Sequence, residues 1–189
     1  METVLILDFG AQYSQLIARR VREANVYCEV KPCSISPAEI EKIAPIGIIL
    51  SGGPQSVYES VSLRVDPALF ALGIPVLGIC YGCQLMAYSL GGTVAAATEA
   101  TAREYGKTLT EFDTHSAIFQ DLPASSVTWM SHGDYISRVP DGFTVTAKTA
   151  VCPTAAMACP EKRLYGVQFH PEVQHTVEGS EMLRRFLYT

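Results

Sequence analysis

The chain has 189 residues, a formal net charge of −5 and a hydrophobic content of 48%. A chain of this length can bury about 70% of its unfolded surface without disulfides or metals, so we expect a single domain over residues 1–189. The acidic charge and the absence of any run of Lys or Arg argue against a surface for nucleic acid or for anionic lipid.

The cysteines and the N-terminal residues indicate the cellular compartment. No basic and apolar leader precedes the first hydrophobic run, which begins at Thr3, and six cysteines without a secretion signal are most simply unpaired thiols. We therefore expect a cytoplasmic protein.

Residues 67–98 carry no charge, but glycines, a proline and polar residues interrupt them. This pattern predicts a buried strand and a helix instead of a membrane span.

The first half of the chain alternates between strand and helix patterns. Continuous aliphatic runs predict strands at residues 3–8, 26–30, 46–50 and 76–79, and helical periodicity predicts helices at about residues 13–23 and 82–90. In the second half, short segments near 105–112, 127–130, 143–147, 155–159 and 164–169 read as strands, before a closing helix at 178–188. These patterns predict an α/β fold. We expect a doubly wound, mostly parallel sheet with flanking helices and a smaller mixed or antiparallel region in the second half.

Cys80 lies where the strand at 76–79 passes into the next helix. Gly78 and Gly82 flank it, so the backbone can turn sharply there without side-chain clashes. The N-terminus of the following helix favours a thiolate. This strand–turn–helix context is where α/β enzymes place a nucleophile.

Cys80 and Cys83 also form a C-x-x-C pair, which is typical of dithiol redox centres and zinc sites. The other four cysteines offer no second pair at the close spacing that zinc needs, so no metal site is predicted. A redox centre leaves the other motifs of the chain without a role. We expect Cys83 to face the core as a small apolar residue.

His170 and Glu172 lie two residues apart in the segment Val167-Gln-Phe-His-Pro-Glu172. In extended backbone, such residues point to the same side. His170 can then serve as a base and Glu172 can orient it behind the Cys80 thiol, which gives a Cys–His–Glu triad.

Three loops follow predicted strands, namely Asp8-Phe-Gly10, Ser51-Gly-Gly-Pro54 and the turn at Cys80. The carboxyl ends of parallel strands gather at one edge of a sheet, so these loops are expected to share one crevice. The amides of Gly53 and Tyr81 could form an oxyanion hole there. His132, in Ser131-His-Gly-Asp134, is expected to be a structural histidine, because histidine readily finds backbone partners.

Together, Gly78-Ile-Cys80-Tyr-Gly-Cys-Gln84, His170-Pro-Glu172 and Ser51-Gly-Gly-Pro54 resemble the triad class of glutamine amidotransferases. The segments Ile6–Arg20, Arg103-Glu-Tyr-Gly106 and Met130-Ser-His-Gly-Asp134 are similar to the amidotransferase part of the GMP synthase family. The resemblance covers the whole chain. It departs from the common pattern at Cys83, where that family usually has Met.

The resemblance implies that Cys80 attacks the glutamine side-chain amide, that His170 moves the proton to ammonia, and that Glu172 holds the imidazole. The oxyanion residues would be Gly53 and Tyr81. Glutamine would be positioned by four further residues: Gln84, Ser131, Gly133 and Asp134.

The resemblance also implies a partner, a synthetase domain or subunit of the ATP pyrophosphatase type that aminates XMP to GMP. No cofactor is expected in this chain; ATP and Mg²⁺ belong to that partner. Residues 51–56 resemble a pyrophosphatase loop only superficially, because Pro54 and Gln55 replace the residues that would cradle phosphate. We expect the chain to be an excised domain; the alternative is a natural, separate subunit.

Three other interpretations stay open from the sequence alone. The same fold could serve a γ-glutamyl hydrolase or peptidase, or an amidotransferase component for another acceptor. A catalytically silent regulatory module is a further alternative, which the intact set of Cys80, His170 and Glu172 argues against.

Overall fold

A computed structural model describes residues 1–98 and 103–189. Within these residues the α-helices are α1 (Ser14–Glu23), α2 (Pro37–Ile43), α3 (Tyr81–Ser89) and α4 (Gly179–Leu187), and short 3₁₀ helices cover Pro67–Ala71 and Pro160–Lys162. The strands of the first half are β1 (Thr3–Asp8), β2 (Tyr27–Pro32), β3 (Gly47–Leu50), β4 (Val76–Ile79) and β5 (Thr93–Ala96). The remaining strands are β6 (Glu104–Phe112), β7 (Ser125–His132), β8 (Asp134–Arg138), β9 (Thr144–Lys148), β10 (Ala156–Cys159) and β11 (Leu164–Val167).

The central sheet is mixed. In the described part of the chain it has nine strands in the order β2-β1-β3-β4-β11-β10-β9-β6-β7. The strands from β2 to β11 in this order are parallel, and those from β10 to β7 pair in antiparallel fashion. Strands β5 and β8 form a separate antiparallel pair. The predicted α/β sheet with an antiparallel region in the second half is confirmed.

Helices cover both faces of the parallel strands. On one face, Val4 and Ile6 of β1 belong to a buried cluster with residues of α1 and α4. On the other face, Leu5 and Leu7 belong to a second cluster with residues of α2 and α3. This alternation along a fully buried strand is the reason for the continuous aliphatic run.

The pairing of β4 with β11 brings two distant parts of the sequence together. The strands are parallel, with Gly78 opposite Gly166 and Ile79 opposite Val167. One residue further, the amide of Cys80 donates a 2.8 Å hydrogen bond to the carbonyl of Val167. The turn at Cys80 therefore lies beside the segment that carries His170.

The structure also contains elements that were not predicted. Helix α2 begins with a capping box, in which Ser36 and Glu39 bond each other's backbone amides and Pro37 follows the cap. Strand β8 was also not predicted, and the segment Ser131–Asp134 joins the end of β7 to its start. No helix among residues 1–98 and 103–189 has both the length and the apolar character needed to cross a bilayer.

Candidate active site

Cys80 occupies a strained turn between β4 and α3. Its φ of 53° and ψ of −108° place a residue with a side chain in a region that normally suits glycine. The glycines around it allow close backbone approach. A Cβ on Gly82 would lie 2.5 Å from the carbonyl oxygen of Leu50, and a Cβ on Gly78 would lie 2.6 Å from that of Gly82. The two glycines thus permit the sharp turn at Cys80, because a side chain at either position would clash with the backbone.

His170 and Glu172 form a buried pair. His170 Nδ1 lies 2.7 Å from Glu172 Oε1, and both side chains are almost inaccessible to solvent. Within the described residues, the other carboxylate oxygen of Glu172 has no hydrogen-bond partner. Its charge is therefore directed at the imidazole, which fixes the ring and favours its protonated form.

The backbone around this pair is anchored from two sides. The hydroxyl of Thr176 donates a 2.6 Å hydrogen bond to the carbonyl of His170, and Arg20 Nε donates a 3.0 Å bond to the carbonyl of Glu172. The ring of Tyr13, at the start of α1, packs edge-on against His170 with 5.5 Å between centroids. Tyr13 and Arg20 thus connect the segment 6–20 with the site, although neither is a triad residue.

Cys80 and His170 border the same small space. A Cβ on Gly52 would lie 3.2 Å from His170 Cε1 and 3.7 Å from Cys80 Cβ. Burial lowers the pKa of His170, but interactions with Cys80 and Glu172 outweigh it and raise the pKa to about 10. The surroundings of His170 thus favour the protonated imidazolium form of the ring, which lies beside Cys80.

An open cleft of about 360 Å³ lies above Cys80. The cleft is lined by every residue predicted for the oxyanion hole and for glutamine binding: Gly53, Tyr81, Gln84, Ser131, Gly133 and Asp134. His170 and Glu172 are buried next to Cys80 and do not line the cleft. The structure thus brings all nine predicted residues into one region.

The loop that carries Gly53 is held in place by Ser51. Ser51 is fully buried, and its hydroxyl accepts a 3.0 Å hydrogen bond from the amide of Phe9 and donates one of 3.0 Å to the carbonyl of Gly52. In the described part of the chain, the amides of Gly53 and Tyr81 donate no hydrogen bond. Two amide donors thus remain available beside Cys80.

Two of the predicted glutamine-binding residues, Ser131 and Gln84, also make contacts near the Cys80 sulfur. The carbonyl oxygen of Ser131 lies 3.7 Å from Cys80 Sγ. The side chain of Gln84 is buried, and its Nε2 donates to the carbonyl of Asp134 at 3.1 Å and to Gln168 Oε1 at 3.0 Å. The nitrogen end of Gln84 is therefore used inside the protein, so its oxygen end is the one left for a ligand.

Both ring nitrogens of His132 have partners inside the protein. Its Nδ1 lies 2.8 Å from the carbonyl of Asp134 and its Nε2 lies 3.3 Å from Glu104 Oε1. Among the described residues, His132, Glu104 and Cys152 are the one group whose ligand atoms approach closely enough to suggest a metal. Thr149 already donates to Glu104, and burial followed by the Glu104 charge raises the pKa of Cys152 to about 12. In the described structure, Glu104 thus joins His132 and Thr149 through hydrogen bonds.

Cys83 lies in the core and not in the cleft. It has no accessible surface, and burial raises the pKa of its thiol well above the ordinary range. Its sulfur packs against β11, because a Cβ on Gly166 would lie 2.6 Å from it. All six cysteines are unpaired.

Sequence reasoning missed Gln168. This fully buried residue lies within the quoted segment Val167–Glu172, and its Nε2 is 3.5 Å from Cys80 Sγ. The signal for it was present. Gln168 precedes His170 by two residues, the same spacing that connects His170 with Glu172.

Comparison with known proteins identifies the family. Residues 5–189 match the model of "Glutamine amidotransferase class-I". The chain belongs to the class-I glutamine amidotransferase family. Its relatives include proteins described as GMP synthase [glutamine-hydrolyzing]: it is 55% identical over 187 residues to one from Clostridium botulinum strain Alaska E43, and 54% identical over 187 residues to one from Bacillus pumilus. Each alignment covers 99% of this chain and 36% of the relative, so the amidotransferase chain spans about a third of these proteins.

Solved structures agree with this placement. The amidotransferase fold superposes with a TM-score of 0.85 on a GMP synthase subunit protein from Thermoplasma acidophilum, at 31% identity, covering 100% of this chain and 93% of that one. A glutamine amidotransferase from Thermotoga maritima gives a TM-score of 0.74 at 22% identity, covering 91% of this chain and 76% of that one, which supports the fold alone.

Proposed function

We propose that the chain hydrolyses glutamine to glutamate and ammonia and delivers the ammonia to a synthetase domain or subunit that aminates XMP to GMP. The single observation that carries this proposal is Cys80 in a strained turn at the base of an open cleft, beside the buried His170–Glu172 pair. The GMP synthase relatives, of which this chain spans about a third, support the choice of partner. ATP and Mg²⁺ would act in that partner.

In the first half-reaction, the Cys80 thiolate attacks the side-chain carbonyl carbon of glutamine. The amides of Gly53 and Tyr81 stabilise the tetrahedral oxyanion. The His170 imidazolium gives its proton to the departing nitrogen, which leaves as ammonia, and a glutamyl thioester remains on Cys80. Glu172 keeps the ring oriented throughout.

In the second half-reaction, neutral His170 takes a proton from water, and the water oxygen attacks the thioester carbon. The carbon–sulfur bond then breaks, so glutamate leaves and the thiolate–imidazolium pair forms again. Gln84, Ser131, Gly133 and Asp134 hold the α-amino and α-carboxyl groups of the substrate at the cleft wall. Unpaired thiols also support a cytoplasmic location for this chemistry.

The test is reconstitution with the missing part. The remaining portion of the Clostridium botulinum relative is produced separately, mixed with this chain, and supplied with XMP, ATP, Mg²⁺ and either glutamine or ammonium chloride. We expect GMP from both nitrogen sources with the wild-type chain. With Cys80→Ser we expect GMP from ammonium only.

GMP formation from glutamine by the Cys80→Ser variant would contradict the assigned nucleophile. Glutamine hydrolysis by the wild-type chain without any transfer of ammonia to XMP would contradict XMP as the acceptor but would still support the glutaminase activity. Turnover of γ-glutamyl peptides in place of glutamine would reject both and favour a peptidase of the same fold.

A further inference from the structure

We propose that Gln168 is an additional residue of the catalytic machinery, which donates a hydrogen bond to the Cys80 sulfur and is held in that orientation by hydrogen bonds from the cleft wall. This inference rests on the proposed function, since it assigns a role around the same nucleophile. It concerns the electrostatics of the sulfur, however, and can be tested without glutamine.

The contacts form a continuous chain from the cleft wall to the nucleophile. The carbonyl of Asp134, which lines the cleft, accepts a 3.1 Å hydrogen bond from Gln84 Nε2. The same nitrogen donates to Gln168 Oε1 at 3.0 Å, and Gln168 Nε2 lies 3.5 Å from Cys80 Sγ. A hydrogen bond to sulfur is longer than one to oxygen, so the last distance is a genuine contact.

The direction of this chain is fixed by its first member. A backbone carbonyl can only accept, so the Gln84 group that faces Asp134 must be the NH₂. Its second N–H then requires an acceptor, which must be the oxygen of Gln168. Rotating either amide by 180° would bring two acceptors or two donors together. The NH₂ of Gln168 is therefore the group that faces the sulfur.

A buried donor in this position stabilises negative charge on sulfur. Gln168 has no accessible surface, so water does not compete for the contact. His170, two residues further along the chain, supplies positive charge to the same atom. Gln168 thus adds a fixed neutral donor to the imidazolium, and Gln84 and Asp134 connect this donor to the wall that would hold the substrate.

Other titratable groups lie around the sulfur, so any test must keep them unchanged. They belong to several elements and comprise His170 with Glu172 behind it, Cys83 on α3, and Glu59, Tyr81, Tyr105, His132 and Asp134 around the cleft. Gln168→Met removes the donor while leaving all of these residues in place and roughly preserving side-chain volume.

The experiment measures alkylation of Cys80 by iodoacetamide as a function of pH, with mass spectrometry of peptides to locate the adduct. Below neutral pH we expect Gln168→Met to react about tenfold more slowly than wild type, which is the typical effect of one hydrogen bond to a charged group. The two rates should converge at high pH, where the sulfur is ionised in both proteins. Gln120→Met, the same substitution on the exposed surface, is the matched control and should follow the wild-type profile.

Superimposed profiles for Gln168→Met and wild type would overturn the proposal. A rate lowered by the same factor at every pH would also overturn it, because that result indicates a purely structural role. If Gln168→Met unfolds, Gln84→Met serves instead, since it frees the Gln168 amide to rotate, and it should shift the profile in the same direction by less. No shift in that variant would count equally against the chain of hydrogen bonds.

A separate arm distinguishes this inference from the proposed function. Glutamine should protect wild-type Cys80 from an electrophilic glutamine analogue that carries a γ-diazoketone. If the analogue does not react, or reacts equally fast with and without glutamine, the proposed function fails, yet the iodoacetamide profiles still decide the role of Gln168.

Discussion

Gly82→Ala tests whether the close approach of α3 to β3 determines the geometry of the nucleophile. The added Cβ would lie 2.5 Å from the carbonyl oxygen of Leu50 and 2.9 Å from its carbonyl carbon. These are backbone atoms of a buried strand, so they cannot rotate away. Restoring a separation of 3.4 Å, the lower limit of ordinary contact, requires a shift of 3.4 − 2.5, or about 0.9 Å.

Helix α3 carries Gly82 and begins at Tyr81, directly after Cys80, so any displacement of its first turn reaches the nucleophile. A displacement of about 1 Å at a reacting group can reduce rates about 100-fold. Overpacking should also lower the free energy of unfolding by about 1–3 kcal/mol, offset by up to about 1 kcal/mol from the better helix propensity of alanine. We therefore expect a large loss of reactivity with a small loss of stability.

The assay compares labelling of Cys80 by the electrophilic glutamine analogue with urea unfolding of the same samples. Gly47→Ala is a matched control, because its Cβ would lie 3.6 Å from the ring of Phe186, which is ordinary contact. The control should label at the wild-type rate. If Gly82→Ala also labels at that rate, steric restriction at this glycine does not position the nucleophile.

Three further predictions concern the thiols and the buried pair. Cys80→Ser should abolish glutamine-dependent ammonia release, because a hydroxyl has too high a pKa to replace the thiolate, whereas Cys83→Ala should retain most of it; equal losses would restore the dithiol interpretation. The His170 ring, with its pKa raised to about 10, should still be protonated at pH 8 by ¹⁵N NMR, and Glu172→Gln should lower that pKa because it removes the stabilising negative charge. His170→Asn should reduce glutaminase activity far more than Glu172→Gln, since only His170 transfers the proton; comparable losses in steady-state rates would contradict this division of roles.

The sequence predicted the parallel core well because β1, β3 and β4 are buried on both faces. Strand β4 was predicted at its observed bounds, and β1 begins at the predicted Thr3. Helix α2 was missed although Ser36 and Glu39 carry the spacing of a capping box. Only one of its residues, Ile40, is buried, so the helix shows almost no apolar periodicity. Capping chemistry was the available signal.

Contacts within the candidate site were predictable between residues that are close in sequence. They were less predictable between residues that only the pairing of distant strands brings together. The spacing of His170 and Glu172 was sufficient to propose their contact, although residues 171–172 form a turn and not the extended backbone that was expected. The link between Gln84 and Gln168 joins residues 84 positions apart, and single-sequence patterns contain no information on such a pair. The strand at Thr93–Ala96 was missed for a related reason, since its burial is irregular and its pairing with β8 is distant in sequence.

The placement of the site depends on the register between β4 and β11. Gln168 and His170 follow β11 by one and three residues, so a slip of one residue in its pairing with β4 would displace both side chains relative to the sulfur. Gly166 restricts this register, because only a residue without a side chain fits against Cys83, whose sulfur would lie 2.6 Å from any added Cβ. Cys83 thus affects the site through packing. Its sulfur leaves room only for glycine at position 166, and the resulting pairing of β11 with β4 places the His170 imidazole and the Gln168 amide beside Cys80.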